Sequence, residues 1–119
     1  MEIQSEIGSD CLLLRVSGDL RLWGHAGEET RLLDALRSRE TLPAHLILNM
    51  SGISRLDSTG IGSLVRVLIE CGKRHVEFRA VLPLGLPGEM LTPVRVFEAW
   101  PKFKDESSAL TDAGRAATA

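Results

Sequence analysis

The chain has 119 residues, 44% of them apolar and only 4% aromatic, with a formal net charge of −2. This length is enough for one hydrophobic core without disulfides or a metal. The scattered, nearly balanced charge excludes a protein that binds nucleic acid by neutralising phosphates.

Residues 2–7 alternate polar and apolar and predict a strand with one wet face. Gly8-Ser9-Asp10 has turn chemistry, and Cys11 to Ser17 reads as a second, more apolar strand, so the chain opens on an antiparallel hairpin. Gly18 to Gly24 reads as a loop. From about Ala26 to Ser38, Leu32, Leu33 and Leu36 supply the apolar stripe of a helix, with Glu28 and Glu29 early and Arg37 and Arg39 late, as the helix dipole favours. Pro43 closes the connection to a short buried strand at 45–50.

A second helix runs from about Ser58 to Cys71, with Ile61, Leu64, Val65, Leu68 and Ile69 recurring at steps of three and four. Asp57 or Ser58 is its N-cap, and Gly72 is expected at C′ with positive φ. Lys73, Arg74 and His75 then complement a helix C-terminus. Val76 to Leu82 alternates, with Glu77 and Arg79 on an exposed face. Pro83 to Leu91 reads as irregular, and Thr92-Pro93 as the N-cap and N1 pair of a short helix over 94–100. Residues 102–104 form a brief edge strand, Asp105 caps a last helix over 106–113, and Thr118-Ala119 is a frayed end.

The order predicts an α/β fold: a mixed sheet of four to five strands, with an N-terminal antiparallel hairpin and then parallel strands joined by right-handed crossovers. Helices lie mainly on one face. A single domain over 1–119 is expected, with its ordered core at about 2–113. No apolar run is long enough to insert in a membrane and no secretory leader precedes the first strand, so a soluble, cytoplasmic protein is expected. Cys11 and Cys71 show no metal-ligand spacing and read as reduced core thiols; no metal and no cofactor are expected.

The chemistry concentrates at Arg55 to Gly62, where strand gives way to helix at the carboxyl end of a central parallel strand. Glycine costs ~1 kcal/mol relative to Ala inside a helix. Gly60 and Gly62 therefore imply a first turn left bare for a close approach. The Ser58 hydroxyl stands where the dipole favours negative charge, which makes it a candidate phosphoacceptor. A hydrolase is not expected: a nucleophile elbow needs Gly at 56, where Leu56 stands, and His25, His45 and His75 fit no triad. His45 and His75 read as solvent-exposed. Phe97 and Trp100 read as core residues, and Trp23 as core or partner contact alike.

Asp57-Ser58-Thr59-Gly60-Ile61-Gly62, preceded by the strand Leu46-Ile47-Leu48-Asn49-Met50, resembles the signature of anti-sigma factor antagonists, the bacterial members of the STAS domain family. Val16-Ser17-Gly18-Asp19-Leu20 extends the likeness upstream. The resemblance implies a binding module rather than an enzyme. Ser58 would be phosphorylated by a partner anti-sigma factor that is also a serine kinase, with Asp57 beside it at the kinase interface. The unmodified form would bind that partner and free the sigma factor, and a cognate phosphatase would reset the switch. Thr59, Gly60 and Gly62 would belong to the docking surface. Asp19, Arg21 and Trp23 would add a neighbouring loop, although Arg21 stands where the family often carries an acid. STAS-like domains also serve as non-switching scaffolds in stress-sensing assemblies or beside membrane transporters, and a homo-oligomer is compatible with either role.

Overall fold

The computed structural model describes residues 1–8 and 10–118, without the side chains of residues 96, 97 and 116–118. Ser9, the Phe97 side chain and Ala119 thus lie outside the described residues, while Thr118, expected at a frayed end, belongs to the last helix. The elements are β1 (Glu2–Ile7), β2 (Cys11–Leu20), α1 (Glu28–Arg37), β3 (His45–Leu56), α2 (Ser58–Lys73), β4 (Glu77–Val81), α3 (Gly85–Leu91), α4 (Arg95–Glu98), β5 (Lys102–Phe103) and α5 (Glu106–Thr118).

Among the described residues the strands form one mixed sheet in the order β1-β2-β3-β4-β5. The β1–β2 pair is antiparallel and every later pair is parallel. Because each crossover steps in the same direction with the same hand, the connecting helices fall on one face. There Leu32 and Leu36 of α1, Leu64 and Val67 of α2, and Leu91 of α3 close over Leu12, Leu14, Leu46, Leu48 and Ala80. The opposite face is covered by α5, where Ala109 meets Leu13, Ile47 and Val81. β3 is apolar on both sides because both sides are covered. Trp100 packs on Phe78 with ring centroids 4.2 Å apart.

Several elements differ from the sequence-based expectation. β2 and β3 run on to Leu20 and Leu56, pairing through register shifts on either side of Ser17 and Gly18. The mostly polar run Ser51 to Arg55 hides this extension, since only Ile53 and Leu56 turn inward. α2 passes through Gly72 to Lys73, and the positive φ falls on His75 at 57°. Arg74 reaches across instead to the end of α1, donating to the carbonyl oxygens of Leu36, Arg39 and Glu40 at 3.2, 2.8 and 3.0 Å. The segment after β4 is not irregular. It holds α3, in which Pro87 is tolerated because it lies in a first turn whose N–H groups have no intrahelical partner. Thr92 closes α3 by donating its hydroxyl to the Gly88 carbonyl at 2.9 Å, so α4 starts only after Val94.

The face of β4 expected to be wet is exposed at Glu77 but dry at Arg79, because α5 lies over it. Arg79 is 5% exposed and so is His45, the residue expected in solvent. Arg79 donates Nε to Asp112 Oδ2 of α5 at 2.8 Å, and Nη1 lies 2.8 Å from His45 Nδ1. A guanidinium only donates, so Nδ1 accepts here. Glu77 Oε2 lies 3.1 Å from that same nitrogen and 3.6 Å from Arg79 Nη2, so the three side chains form one cluster. Removing one partner of a buried charge pair costs ~3–5 kcal/mol, less where that partner is half in water, as Asp112 is. We expect Asp112→Asn to lower stability by about 1–2 kcal/mol in urea denaturation. An unchanged midpoint would show that Glu77 alone satisfies Arg79.

Candidate functional site

β2 and β3 finish side by side, with Leu20 paired to Leu56. One residue later Asp57, extended at φ −126° and ψ −179°, turns the chain into α2. Its Oδ1 accepts from the Gly60 N–H at 2.8 Å, and its backbone carbonyl accepts from Ile61 at 2.9 Å. Oδ2 accepts from the Trp23 N–H at 3.0 Å, so one carboxylate ties the loop after β2 to the start of the helix. Burial pushes this carboxyl up, but N–H groups of Gly60, Trp23, Leu22 and Thr59 outweigh it and hold its pKa below the ordinary value of 3.8. So occupied, Asp57 is a poor proton acceptor.

Asp57 is the cap, so Ser58 is not needed for capping. Ser58 is the exposed first residue of α2, and Thr59 behind it is half-buried. The two glycines differ. Gly60 is buried, and a Cβ on it would lie 2.1 Å from the Leu20 carbonyl oxygen and 3.0 Å from Leu56 Cδ1. The close approach at Gly60 is therefore made by this chain's own β2. At Gly62 a Cβ would meet nothing within 4 Å.

Asp19 and Arg21, at the end of β2, hold each other. Arg21 Nε donates to Oδ1 at 3.0 Å and Nη2 to Oδ2 at 2.6 Å, while the Arg21 N–H reaches Oδ1 at 2.9 Å. The guanidinium keeps the Asp19 carboxyl far below its usual range. The basic residue thus cancels the acid beside it instead of making the loop cationic. Trp23 is 82% exposed. Sequence reasoning passed over Arg55 and Leu86, which share a cavity with Arg21 beside this site. Their only signals were a charge inside the octet before α2 and a leucine in a Pro/Gly-rich stretch. No group of three or more His, Cys, Asp or Glu among the described residues is arranged to hold a metal ion. No helix among them is long and apolar enough to cross a membrane.

Losing the Asp57 carboxylate should cost about 1–2 kcal/mol at neutral pH, through the helix cap and the Trp23 tie. Its folded pKa lies below the unfolded value of 3.8. The contribution is therefore complete above that value and lost as pH falls through the folded pKa. Asp57→Ala and wild type should accordingly converge in stability below pH 3.8. A gap that stays constant through the acid limb would show that the charge contributes nothing.

The sequence matches the STAS domain family over residues 2–95, and the chain belongs to that family. No curated protein matches it. An anti-sigma factor antagonist from Mycobacterium paratuberculosis superposes with a TM-score of 0.72 at 19% identity, covering 93% of this chain and 92% of its own. The anti-sigma factor antagonist SpoIIAA in its unphosphorylated form gives 0.66 at 16% identity, covering 96% and 98%. A sulfate transporter family protein from Wolinella succinogenes gives 0.78 at 20% identity, covering 96% and 93%. At these identities the likeness is one of fold.

Proposed function

We propose that this chain is an anti-sigma factor antagonist of the bacterial cytoplasm. Its unphosphorylated form binds an anti-sigma factor that is also a serine kinase and so releases the sigma factor. Phosphate on Ser58 abolishes that binding until a phosphatase removes it, and the chain performs no catalytic step of its own. The observation that carries the reading is the exposure of Ser58 at the first position of α2, outside the cap that Asp57 completes. An anion there is compatible with the helix dipole, so modification need not unfold the protein. The structural neighbours described as anti-sigma factor antagonists support the same role. The test is incubation with ATP and each serine-kinase-type anti-sigma factor encoded in the same genome, followed by mass spectrometry. Phosphate on Ser58 is expected; phosphate only elsewhere, or none, would overturn the switch.

A second reading is favoured by the TM-score of 0.78 to the sulfate transporter family protein: a non-switching scaffold in a transport or stress-sensing complex. The two separate in pull-downs with Ser58→Ala and Ser58→Asp. A scaffold retains one partner set in both variants, whereas a switch does not.

A further inference from the structure

We propose that the groove between α1 and α2 is a docking surface for an acidic amphipathic helix of a protein partner, separate from Ser58 and independent of the switch. The two helices run side by side in the same direction. Near their starts Ser63 Oγ donates to the Glu29 carbonyl at 2.7 Å, and near their ends Arg37 Nε lies 3.5 Å from Glu70 Oε1. Between them opens a cavity of about 350 Å³. Thr30, Leu33 and Arg37 line one wall at steps of three and four along α1, and Arg66, Ile69 and Lys73 line the other at the same steps along α2. Leu33 is buried, whereas Ile69 is 52% exposed, a large apolar side chain held in water between two cations. Apolar anchors ringed by polar groups carry most of the energy of protein interfaces.

The walls carry three cations, Arg37, Arg66 and Lys73, against one carboxylate, Glu70, on a chain whose formal net charge is −2. Glu70 is engaged with Arg37. Among the described residues no carboxylate lies within ion-pair distance of Arg66 or Lys73, and neither side chain donates a hydrogen bond. Lys73, in the last turn of α2, faces the negative end of that helix dipole, which answers about half a charge. Arg66 stands in the middle of α2, where the dipole offers nothing. The guanidinium's planar fork suits a carboxylate. These two cations stand two turns apart, about 10 Å along the axis, with Ile69 between them. A helix presenting carboxylates two turns apart with an apolar residue between them matches that row. A concave seat between two helices suits a third helix better than a flat membrane does. Ser58 lies about 12 Å before Arg66 along α2, so an occupant of the groove need not cover the phosphoacceptor.

The probe is a synthetic lactam-bridged helix with glutamates two turns apart and leucine between them, titrated into isotope-labelled protein and followed by amide chemical shifts. We expect saturable shifts at Thr30, Leu33 and Ile69. Affinity should fall about tenfold in the double variant Arg66→Gln/Lys73→Gln, in Ile69→Ser, and with a peptide whose glutamates are replaced by glutamine. The double variant Arg95→Gln/Lys104→Gln removes the same charge outside the groove and should stay within about twofold of wild type. All the substituted side chains are exposed, so melting temperatures should hardly move. Absence of saturable binding, shifts centred elsewhere, or equal affinity in every variant overturns the inference. Two further results also overturn it. Vesicles of phosphatidylserine and phosphatidylcholine that bind the protein when the peptide does not would give the groove to a membrane, and a dimer that Arg66→Gln/Lys73→Gln dissolves in sedimentation would give it to a second copy. None of these outcomes bears on Ser58, whose own test is phosphorylation.

Discussion

Ser58→Asp is expected to weaken the complex with the proposed kinase partner by roughly thirty- to a hundredfold while leaving the fold intact. A like-charge pair at 4 Å costs ~4 kcal/mol at an effective dielectric of 20. Half to two-thirds of that, about 2–2.7 kcal/mol, converts at ~1.4 kcal/mol per tenfold. Aspartate carries one charge where phosphoserine carries about −1.5 to −2, so the variant sets a lower bound on the effect of phosphate. Inside the protein the sign reverses. An acid in the first turn of a helix is stabilising by ~0.3–1 kcal/mol, and Ser58 is exposed, so no buried partner is lost. Calorimetric titration and thermal melts report the two quantities separately. Undiminished binding by a folded Ser58→Asp would remove the electrostatic basis of the switch. A large fall in melting temperature would mean that Ser58 is structural after all.

Gly60→Ala should be the most disruptive single methyl group at this end of the sheet. Helix propensity alone predicts a gain of ~1 kcal/mol for alanine at either helical glycine. At Gly62, where the added carbon meets nothing within 4 Å, we expect that gain. At Gly60 the carbon would sit 2.1 Å from the Leu20 carbonyl oxygen, a backbone atom in a strand paired to β3. It cannot rotate aside like a side chain, so either α2 or the end of β2 must move. Overpacking typically costs 1–3 kcal/mol, and a backbone neighbour places this site at the upper end. Urea denaturation should therefore show Gly60→Ala down by about 3 kcal/mol and Gly62→Ala up by about 0.5–1 kcal/mol. Equal, small effects at both positions would show that the end of β2 yields freely. The displaced loop carries Trp23, so Gly60→Ala should also weaken partner binding in any molecule that remains folded.

The main architecture was legible because it rests on periodicity. The apolar run in β3 and the three-and-four spacing in α2 report burial, whereas the alternation in β1 and β4 marks them as strands although Ile7 is exposed and Arg79 is buried. What escaped rests on pairs distant in the chain. Nothing local shows that Gly60 faces Leu20, since that contact exists only once two bulges bring β2 to end beside Leu56. Arg79 looked like one side of a wet strand because the helix that covers it arrives 33 residues later with Asp112. His45 was misread for the same reason. α3 was hidden by its own punctuation: Gly85, Pro87 and Gly88 read as loop residues, although two sit in a first turn and the third fits against a carbonyl. Within the site, the residue types marked where α2 begins, but not which glycine is filled from inside and which stays open.

The sequential strand order has a consequence for how the molecule is made. As the chain leaves the ribosome, every strand from β2 onward emerges after the neighbour it pairs with. No later segment has to be threaded between two earlier ones, and each closure spans only a tight turn or one short helical crossover segment, so its entropy cost grows only with the logarithm of that short span. Synthesis can lay the sheet down from one edge to the other, with Ser58 reaching its place at the tip of β3 before the final helix has been translated.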